Sequence, residues 1–163
     1  MLDFAIQPLS KHHNRENFDC GEESLNTFLK KFARQNNERE LSKTYVAVAE
    51  NGDEVLGYYT ISSGSIVSDN VPENLPRYPV PVAHLGRLAV DKKAKGQKLG
   101  EILLFDALKR IAAISEQLGI YAVEVVALNE TAKKFYLKYG FKELADDELH
   151  LYLSIKTIKK LIS

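Results

Sequence analysis

The sequence has a single cysteine and no excess of charge of either sign, and each absence excludes a class of protein. Cys20 has no partner for an internal disulfide, which is expected of a protein kept in a reducing compartment. The 22 basic and 22 acidic side chains cancel, so the chain is not a polycation that would coat DNA or an anionic membrane. Any contact with nucleic acid therefore requires a local basic patch.

Long apolar runs are also missing. The N-terminal stretch "MLDFAIQPLSKHH" has a charge at its third residue and lacks the apolar core of a signal peptide. No later run is long enough to span a membrane, so we expect a cytoplasmic protein. With 45% apolar residues in a chain of 163, we expect a single domain over residues 1–163 with its own core.

Apolar spacing predicts a helix early in the chain, followed by a β-hairpin. The residues at i, i+3, i+4 and i+7 that would form its buried face are Leu25, Phe28, Leu29 and Phe32. Asp19 and Glu22 have the spacing of a cap at the start of this helix. The turn signal Asn51-Gly52-Asp53 lies between two β-rich runs and predicts the hairpin.

The second half of the chain alternates strands and helices. A proline-containing loop is expected over 67–81, and strands over 82–91, 119–128 and 148–155. A helix over 99–118 would bury Leu103, Ala107, Ile111, Ile114 and Leu118. The strands that flank this helix are joined by a right-handed crossover and are therefore predicted to be parallel.

Between the strand at 82–91 and the helix at 99–118 lies "KKAKGQKLG", a loop suited to an anion. The first N–H groups of a helix have no internal partner and carry partial positive charge. Gly96 and Gly100 allow close backbone approach to a phosphate, and Lys92, Lys93, Lys95 and Lys98 add full charges. The spacing is neither that of a Walker loop nor that of the three-glycine dinucleotide motif. These residues predict a polyphosphate site of another kind.

The segment "KGQKLG", residues 95–100, resembles the coenzyme A loop of the GNAT superfamily of N-acetyltransferases. That loop has Gln or Arg, two residues, Gly, one residue, then Gly or Ala. Lys95 stands at the Gln/Arg position, and Lys98 replaces the middle glycine. Further stretches resemble the fourth strand ("HLGRLAVD"), the fifth strand with its following helix ("VVALNETAKKFYLKYGF") and the central hairpin strand ("EVLGYYTIS") of the same family.

This resemblance implies an α/β fold of α+β type, with a mixed, mostly antiparallel twisted sheet, a parallel splayed strand pair and flanking helices. It implies acetyl-CoA as the cofactor. The residues that it places against the coenzyme are Leu88, Ala89, Val90, Lys95, Gly96, Gln97, Lys98, Leu99, Gly100, Asn129, Ala132 and Phe135. It places the Tyr136 phenol beside the coenzyme sulfur, where it would donate a proton to the departing thiolate. Asn129 is equally well explained as a helix cap.

A narrower resemblance links the chain to the acetyltransferase toxins of bacterial toxin-antitoxin operons. It rests on "FDCGEESLNTFL", "TYVAVAENGDEVLGYYTISSGSI", "LPRYPVPVAHLGRLAVD" and "LFDALKRI". This resemblance implies acetylation of the α-amine of aminoacyl-tRNA and inhibition of translation. It also implies a ribbon-helix-helix antitoxin as a partner, and a homodimer.

The acceptor must present a neutral amine, and no general base is evident in the sequence. His84 lies in the strand where many GNAT enzymes have a glutamate, and Glu124 lies on the neighbouring strand with its orientation open. Neutralising a lysine side chain at pH 7 costs about 4 to 5 kcal/mol, against about 1 to 1.5 for an α-amine. A site without a strong base therefore favours an α-amine. A backbone N–H near Leu88 to Val90 would meet the oxyanion.

A tRNA acceptor requires local positive charge, because phosphates supply most sequence-independent affinity. The candidate contacts are Arg87, Arg77, Lys30, Lys31, Arg34 and Lys43. Arg87 is the strongest of them, since an arginine in an otherwise apolar strand needs a partner.

Two alternatives remain open from the sequence. The same chemistry would serve a small amine, a protein N-terminus or a lysine, and a loop that lacks one glycine would also suit a non-catalytic acyl-CoA binder. No metal site is predicted, since His12, His13 and His150 lack ligand spacing with any cysteine or carboxylate cluster. Cys20 is expected to be structural, because no base is available to activate it.

Overall fold

The computed structural model describes residues 3–163, which form seven strands and five α-helices. The strands are β1 (Phe4–Pro8), β2 (Lys43–Ala49), β3 (Val55–Ile66), β4 (Val80–Val90), β5 (Ala122–Val126), β6 (Lys142–Leu144) and β7 (Asp147–Ser154). The helices are α1 (Glu23–Thr27), α2 (Ala33–Glu38), α3 (Leu99–Ile114), α4 (Glu130–Lys138) and α5 (Ile155–Ile162). A π-helical segment, Phe28–Phe32, joins α1 to α2, and 3-10 turns cover Ser68–Asn70 and Lys92–Ala94.

All seven strands belong to one mixed sheet with the order β1-β2-β3-β4-β5-β7-β6. The pairs β1–β2, β2–β3, β5–β7 and β6–β7 are antiparallel. The pair β4–β5, which flanks α3 in the chain, is parallel, with Val82 opposite Ala122 and His84 opposite Glu124. The predicted fold class and the predicted parallel crossover are thereby confirmed.

The chain divides into two compact units. The first comprises residues up to Ser62 together with Gly86–Ala107, and the second comprises Ser63–Leu85 and Leu108–Ser163. The first has an apolar core around Leu29, Val46 and Tyr58, and the Tyr58 hydroxyl donates to the Leu25 carbonyl at 2.7 Å.

The second unit has its own apolar core, which includes Val82, Ala122 and Tyr152. Glu73, which lies between Ser68–Asn70 and β4, is held there by two phenols. Its carboxylate oxygens accept from Tyr121 and Tyr152, each at 2.8 Å. These two hydrogen bonds anchor the proline-containing loop to the residue just before β5 and to β7 of this unit.

The first helical segment differs from its prediction in register. Phe28 and Leu29 are buried as expected, but Phe32 is 48% exposed and Ala33 is fully buried in its place. The cause is the π-helical turn Phe28–Phe32, whose wider i to i+5 spacing delays the apolar face by about one residue.

The predicted capping role of Asp19 and Glu22 is wrong. Glu22 occupies the N-cap position of α1, but its side chain makes no capping hydrogen bond. The Asp19 carboxylate instead accepts from the Gly21 N–H at 2.9 Å and from the Asn26 amide at 3.1 Å. Asp19 therefore closes a tight turn before the helix.

Helix α3 is shorter than predicted, ending at Ile114 rather than at residue 118. Leu103, Ala107 and Ile111 are fully buried as expected, but Ile114 and Leu118 are 40% and 60% exposed. Burial of these last two residues was wrongly predicted, because the helix ends before the second of them and the first lies in its last turn.

The hairpin prediction is confirmed, since Asn51 has a left-handed φ of 65° and the turn joins β2 to β3. Strand β6 was not predicted, because three residues are too few to show an alternating pattern. Among residues 3–163, no helix has both the length and the apolar character needed to cross a membrane.

Gly57 in β3 allows α3 to pack closely against the sheet within the first unit. A Cβ at this position would lie 2.9 Å from Leu103 Cδ1, 3.0 Å from Leu99 Cδ2 and 3.1 Å from the Ala89 carbonyl oxygen. Two of these contacts are to buried side chains and one is to backbone, so none of them yields without a shift of the helix or strand.

We expect Gly57→Val to destabilise the protein by about 1 to 3 kcal/mol, because it overpacks this contact. Chemical denaturation measures the change in the free energy of unfolding. The matched control is Gly119→Ala, where an added Cβ meets no atom within 4 Å and the change is expected to stay within about 0.5 kcal/mol. Equal stability of the two variants would contradict the close approach of α3.

Candidate active site

Asp91, at the end of β4, fixes the loop that precedes α3. Its side chain is 2% exposed, and its two carboxylate oxygens accept from the backbone N–H groups of Lys93 at 2.8 Å and Asp19 at 2.9 Å. The Lys92 N–H donates to the Asp19 carbonyl at 2.9 Å. The start of the loop is therefore bound to the chain segment before α1.

The remainder of the loop contains two residues with left-handed backbone. Gly96 has a φ of +83° and Lys98 a φ of +61°, and α3 follows at Leu99. Positive φ at these two positions turns the loop backbone sharply ahead of the helix. Lys98 therefore adopts the left-handed conformation that the middle glycine of the coenzyme A motif permits, although it carries a side chain.

The first amides of α3 are open to an anion. The first hydrogen bond of the helix runs from the Ile102 N–H to the Lys98 carbonyl at 3.1 Å. The N–H groups of Leu99, Gly100 and Glu101 precede it, so they have no acceptor within the helix and carry the positive end of its dipole.

The four lysines of the loop divide into two pairs. Lys92 lies 3.6 Å from the Asp19 carboxylate, and Lys93 is bound to Glu54. Lys95 and Lys98 are exposed, and neither has a carboxylate partner in the part of the chain that the structure describes. Open amides together with these two free ammonium groups fit a polyphosphate, as the coenzyme A prediction requires.

The strand residues predicted to meet the pantetheine arm lie at the C-terminal end of β4. Ala89 is buried, whereas Leu88 and Val90 are partly exposed. The parallel pairing of β4 with β5 covers three residue pairs and ends at His84 opposite Glu124, although β4 continues to Val90. Residues 88–90 thus lie beyond the last pair with β5.

Tyr136 lies on α4, which belongs to the second unit. The residue is 6% exposed, and its ring packs edge-on against Phe135 and Phe141, with ring centroids 5.2 and 5.3 Å away. Burial raises the pKa of this phenol above its ordinary value, so Tyr136 holds its proton at neutral pH.

The Tyr136 hydroxyl is available as a donor. It has no hydrogen-bond partner within residues 3–163. Within that range, two side-chain atoms are both inaccessible to solvent and without a hydrogen-bond partner, Ser42 Oγ and Thr44 Oγ1. Tyr136 Oη has no partner but is not one of these two atoms, so solvent reaches it. An unpartnered but reachable phenol is suited to proton donation.

Asn129 is the N-cap of α4, as the plain interpretation of this residue predicted. Its side-chain oxygen accepts from the Ala132 N–H at 2.9 Å. Phe135 is partly buried and contacts both Tyr136 and Tyr139 through its ring. The observed interactions of Asn129 and Phe135 thus position α4 and its tyrosine, and coenzyme contact by Asn129, Ala132 and Phe135 stays a prediction.

Arg87 is stacked on an aromatic ring. Its guanidinium lies 3.6 Å above the centroid of the Phe28 ring, and no carboxylate pairs with it among the described residues. Burial lowers the pKa of Arg87 from its ordinary value, but an arginine stays charged. A cation stacked on an aromatic ring without a counter-ion is suited to a phosphate or a stacked base.

Of the other predicted tRNA contacts, some are paired with carboxylates and some are exposed. Arg34 pairs with Glu38 at 3.5 Å, and Lys43 with Glu40 at 2.7 Å. Lys30 and Lys31 are exposed on the π-helical turn, and Arg77 is exposed in the proline-containing loop of the second unit. To contact a tRNA phosphate, Arg34 and Lys43 would therefore first have to release the carboxylates that they pair with.

Two acid-base residues form a pair that the sequence left open. Glu124 on β5 is 9% exposed, and its Oε1 lies 2.8 Å from Nδ1 of His84 on β4. Its Oε2 lies 2.5 Å from Nε2 of His150, whose Nδ1 contacts Asp146 at 2.9 Å. A prediction of the parallel register, which sets His84 opposite Glu124, would have identified this pair from the sequence.

Other polar residues have the structural roles that were expected. His13 is buried, and its ring bonds to Gln7 at 2.8 Å and to the Ser10 N–H at 3.0 Å. Cys20 is buried and donates to the Glu22 carbonyl, and burial raises the pKa of its thiol. A neutral buried thiol is inert.

Curated relatives match the chain from end to end. A tRNA-acetylating toxin from Mycobacterium tuberculosis is 37% identical over 162 residues, which cover 97% of this chain and 96% of the relative. A probable toxin TacT from Sinorhizobium fredii is 32% identical over 170 residues, which cover 96% and 94%.

Solved structures agree equally closely. AtaT complexed with acetyl-methionyl-tRNAfMet superposes with a TM-score of 0.92 at 30% identity, covering 99% of this chain and all of the other. AtaTR bound with AcCoA gives a TM-score of 0.88 at 30% identity, with 99% of each chain covered. A tyrosine-to-phenylalanine mutant of the AtaT toxin bound to the C-terminus of the antitoxin AtaR gives 0.87 at 30% identity, again covering 99% of each.

A family model also matches the chain. The model of the acetyltransferase (GNAT) domain covers residues 16–150, a range that holds the loop before α3, the His84–Glu124 pair and Tyr136. The chain therefore belongs to the GNAT acetyltransferase family.

Proposed function

We propose that this protein is an acetyl-CoA-dependent N-acetyltransferase that acetylates the α-amine of aminoacyl-tRNA in the cytoplasm and thereby inhibits translation. The observation that carries the proposal is the end-to-end agreement with AtaT, whose solved complex contains acetyl-methionyl-tRNAfMet. Family membership supports the acetyl transfer, and the toxin relatives support the acceptor.

The loop before α3 is proposed to hold the pyrophosphate of acetyl-CoA. The amides of residues 96–100 would surround the phosphate oxygens, and the free ammonium groups of Lys95 and Lys98 would neutralise their charge. Leu88, Ala89 and Val90 would meet the pantetheine arm, and a backbone N–H among them the oxyanion. When bound, acetyl-CoA supplies a thioester whose acyl carbon accepts the amine.

Tyr136 is proposed to protonate the sulfur that leaves. Its Oη carries a proton at neutral pH because burial raises the pKa of the phenol, and no partner within the described residues holds that proton back. A reachable phenol kept as an acid also argues against a module that only binds acyl-CoA.

The acceptor end of tRNA is proposed to lie against Arg87, whose guanidinium is stacked on Phe28 and has no carboxylate counter-ion among the described residues. Lys30 and Lys31 are exposed on the neighbouring π-helical turn of the same unit. Together these charges form a local basic patch on a chain with no net charge, which is what a nucleic-acid acceptor requires.

We further propose an antitoxin of the ribbon-helix-helix type and a homodimer as the assembly in the cell. The complex of AtaT with the C-terminus of the antitoxin AtaR supports an antitoxin as partner, and the ribbon-helix-helix type and the homodimer rest on the resemblance to the toxin family. Residues 1–163 are proposed to act as one catalytic domain, because β3, β4 and α3 each contribute residues to both compact units.

Incubation of the purified protein with acetyl-CoA and aminoacyl-tRNA should yield N-acetyl-aminoacyl-tRNA, detected by mass spectrometry. Tyr136→Phe should lower turnover by about 10²- to 10⁴-fold, because the sulfur loses its proton donor, while calorimetry shows acetyl-CoA bound as before. Tyr139→Phe, at the C-cap of the same helix, is the matched control and should keep turnover. Full activity of Tyr136→Phe would remove it as the acid.

Gly96→Val should weaken acetyl-CoA by about 10-fold or more, because a left-handed backbone costs a side-chain-bearing residue about 1 to 2 kcal/mol. An added Cβ at Gly96 meets no atom within 4 Å, so the effect is on the backbone alone. Lys98→Gly relieves the same strain at position 98 and should bind within a few-fold of the wild type. Calorimetry of both variants with acetyl-CoA tests the loop, and unchanged affinity of Gly96→Val would contradict it.

Arg87→Gln should raise the KM for aminoacyl-tRNA several-fold and reduce the slope of log KM against log salt by about 1, because one phosphate contact is lost. Arg39→Gln removes an exposed arginine at the end of α2 and is the matched control, with KM expected to stay close to wild type. A thermal melt of each variant separates loss of the Phe28 contact from loss of tRNA binding. An unchanged salt slope in Arg87→Gln would exclude this contact.

A further inference from the structure

The π-helical turn Phe28–Phe32 departs from the regular helix that the sequence predicts. The Ala33 N–H donates to the Phe28 carbonyl, five residues back, whereas in a regular α-helix it would donate to the Leu29 carbonyl, four residues back. Single π-helical turns inside α-helices are rare and occur frequently at functional sites. The contacts around this turn indicate what it does.

Arg15 stabilises the turn from outside the helix. Its Nη1 donates to the Leu29 carbonyl at 2.9 Å and lies 3.5 Å from the Lys30 carbonyl oxygen. The guanidinium thus replaces the hydrogen bond that Ala33 would give to Leu29 in a regular helix. Arg15 is partly buried and pairs with no carboxylate within residues 3–163. It therefore binds the carbonyls of the turn rather than an acidic side chain.

The turn moves Phe32 out of the apolar core. Regular helical spacing would place this residue on the buried face with Phe28 and Leu29, but it is 48% exposed and Ala33 is fully buried instead. Its ring makes no aromatic or cation–π contact in the part of the chain that the structure describes. Exposure forfeits much of the stabilisation that burial of a large aromatic side chain provides. The fold therefore presents Phe32 to solvent at a cost in stability.

The surroundings of Phe32 are basic. Residues 28–37 contain three basic side chains and no acidic one. Lys30 and Lys31 are exposed, and neither pairs with a carboxylate among the described residues. Burial and the nearby Arg34 both lower the pKa of Arg15, although an arginine keeps its charge. This surface is therefore suited to an anionic partner.

An exposed aromatic ring flanked by cations is the arrangement that binds an unpaired nucleotide. The ring stacks on the base, and the cations bind the phosphates. An acidic peptide would use the charges but has no need of the ring, and a double helix offers phosphates but no free base. In the same unit Arg87 already stacks on Phe28. The combination favours a single-stranded segment of RNA, and aminoacyl-tRNA carries its amino acid on such a segment.

We propose that Phe32 stacks on an unpaired nucleobase at the 3′ end of the acceptor tRNA, and that Arg15 is its positioning residue, acting through the π-helical turn. The inference deepens the proposed function and rests on tRNA as the acceptor. Lys30 and Lys31 bind the phosphates next to that base. The register of the helix decides whether the ring is available, because the π-helical register turns it outward and a regular α-helical register would turn it into the core.

A tryptophan reporter tests the stacking. The chain contains no tryptophan, so Phe32→Trp introduces a single indole at this position. Stacking of a base on the indole should quench its emission when aminoacyl-tRNA is added without acetyl-CoA. A tRNA trimmed of its unpaired 3′ nucleotides keeps the phosphates of the stem and should quench little. Equal quenching by both forms, or none by either, would overturn the inference.

Three controls identify the occupant of this surface. Leu41→Trp introduces the indole at another exposed apolar position of the same unit and should keep its emission when the same tRNA is added. Acetyl-CoA alone also carries a nucleobase, and poly-glutamate is the probe for an acidic peptide. Neither should quench Phe32→Trp. Strong quenching by either one, at the salt concentration used for tRNA, would overturn the assignment to tRNA.

Steady-state kinetics provide a second measurement. Phe32→Ala should raise the KM for aminoacyl-tRNA about 10-fold, because a base loses its stacking surface, and should leave the KM for acetyl-CoA at the wild-type value. Phe32→Tyr keeps an aromatic face and should restore the KM for tRNA. Leu41→Ala is the matched control and should keep both constants. A wild-type KM for tRNA in Phe32→Ala would exclude the contact.

Arg15→Met, made in the Phe32→Trp protein, tests the positioning role. It removes the donor to the Leu29 carbonyl, so the helix should return to the α-helical register and the indole should turn toward the core. The emission maximum should then shift to shorter wavelength, and quenching by tRNA should be lost. Lys11→Met in the same background removes the charge of an exposed lysine and should change neither. An unshifted emission maximum in Arg15→Met would overturn the role of Arg15.

The fluorescence and kinetic results separate failure of this inference from failure of the proposed function. If the wild type does not acetylate aminoacyl-tRNA while intact tRNA still quenches Phe32→Trp, acetylation fails and tRNA binding through Phe32 stands. If the wild type acetylates aminoacyl-tRNA and Phe32→Ala keeps the wild-type KM, the function stands and stacking by Phe32 is excluded.

Discussion

The hydrogen bonds of the buried Asp91 carboxylate are the interactions on which the loop before α3 depends. This carboxylate binds two backbone N–H groups, one in its own loop and one in the segment before α1, and so fixes the point at which β4 gives way to the loop. Because this end is held, the left-handed residues Gly96 and Lys98 face a defined direction ahead of α3. A loop of exposed lysines alone would attract phosphate without orienting it.

Some of the basic side chains pair with carboxylates and others do not, and this difference determines where the protein presents positive charge. Lys92 and Lys93 neutralise carboxylates of the same chain, whereas Lys95 and Lys98 stay free next to the open amides of α3. Arg87 is separated from carboxylates by stacking on an aromatic ring. A chain with zero net charge can thus present positive charge at chosen points without binding polyanions everywhere.

The contact between His84 and Glu124 is not visible along the chain. His84 and Glu124 are forty residues apart in sequence and become neighbours only through the parallel register of β4 and β5. A preference for an α-amine is supported by the relatives and by the small energetic cost of neutralising such an amine.

The sequence by itself determined most of the strand and helix order and the parallel crossover, and it marked the loop before α3 and Tyr136 as candidates, because periodicity, turn residues and local motifs are encoded within short windows. Tertiary structure decided which helix face is buried beyond Phe28, where a π-helical turn displaces Phe32 in favour of Ala33. It also decided which lysines are free and which histidine faces a carboxylate. These features depend on contacts between residues far apart in sequence, and no local pattern specifies such contacts.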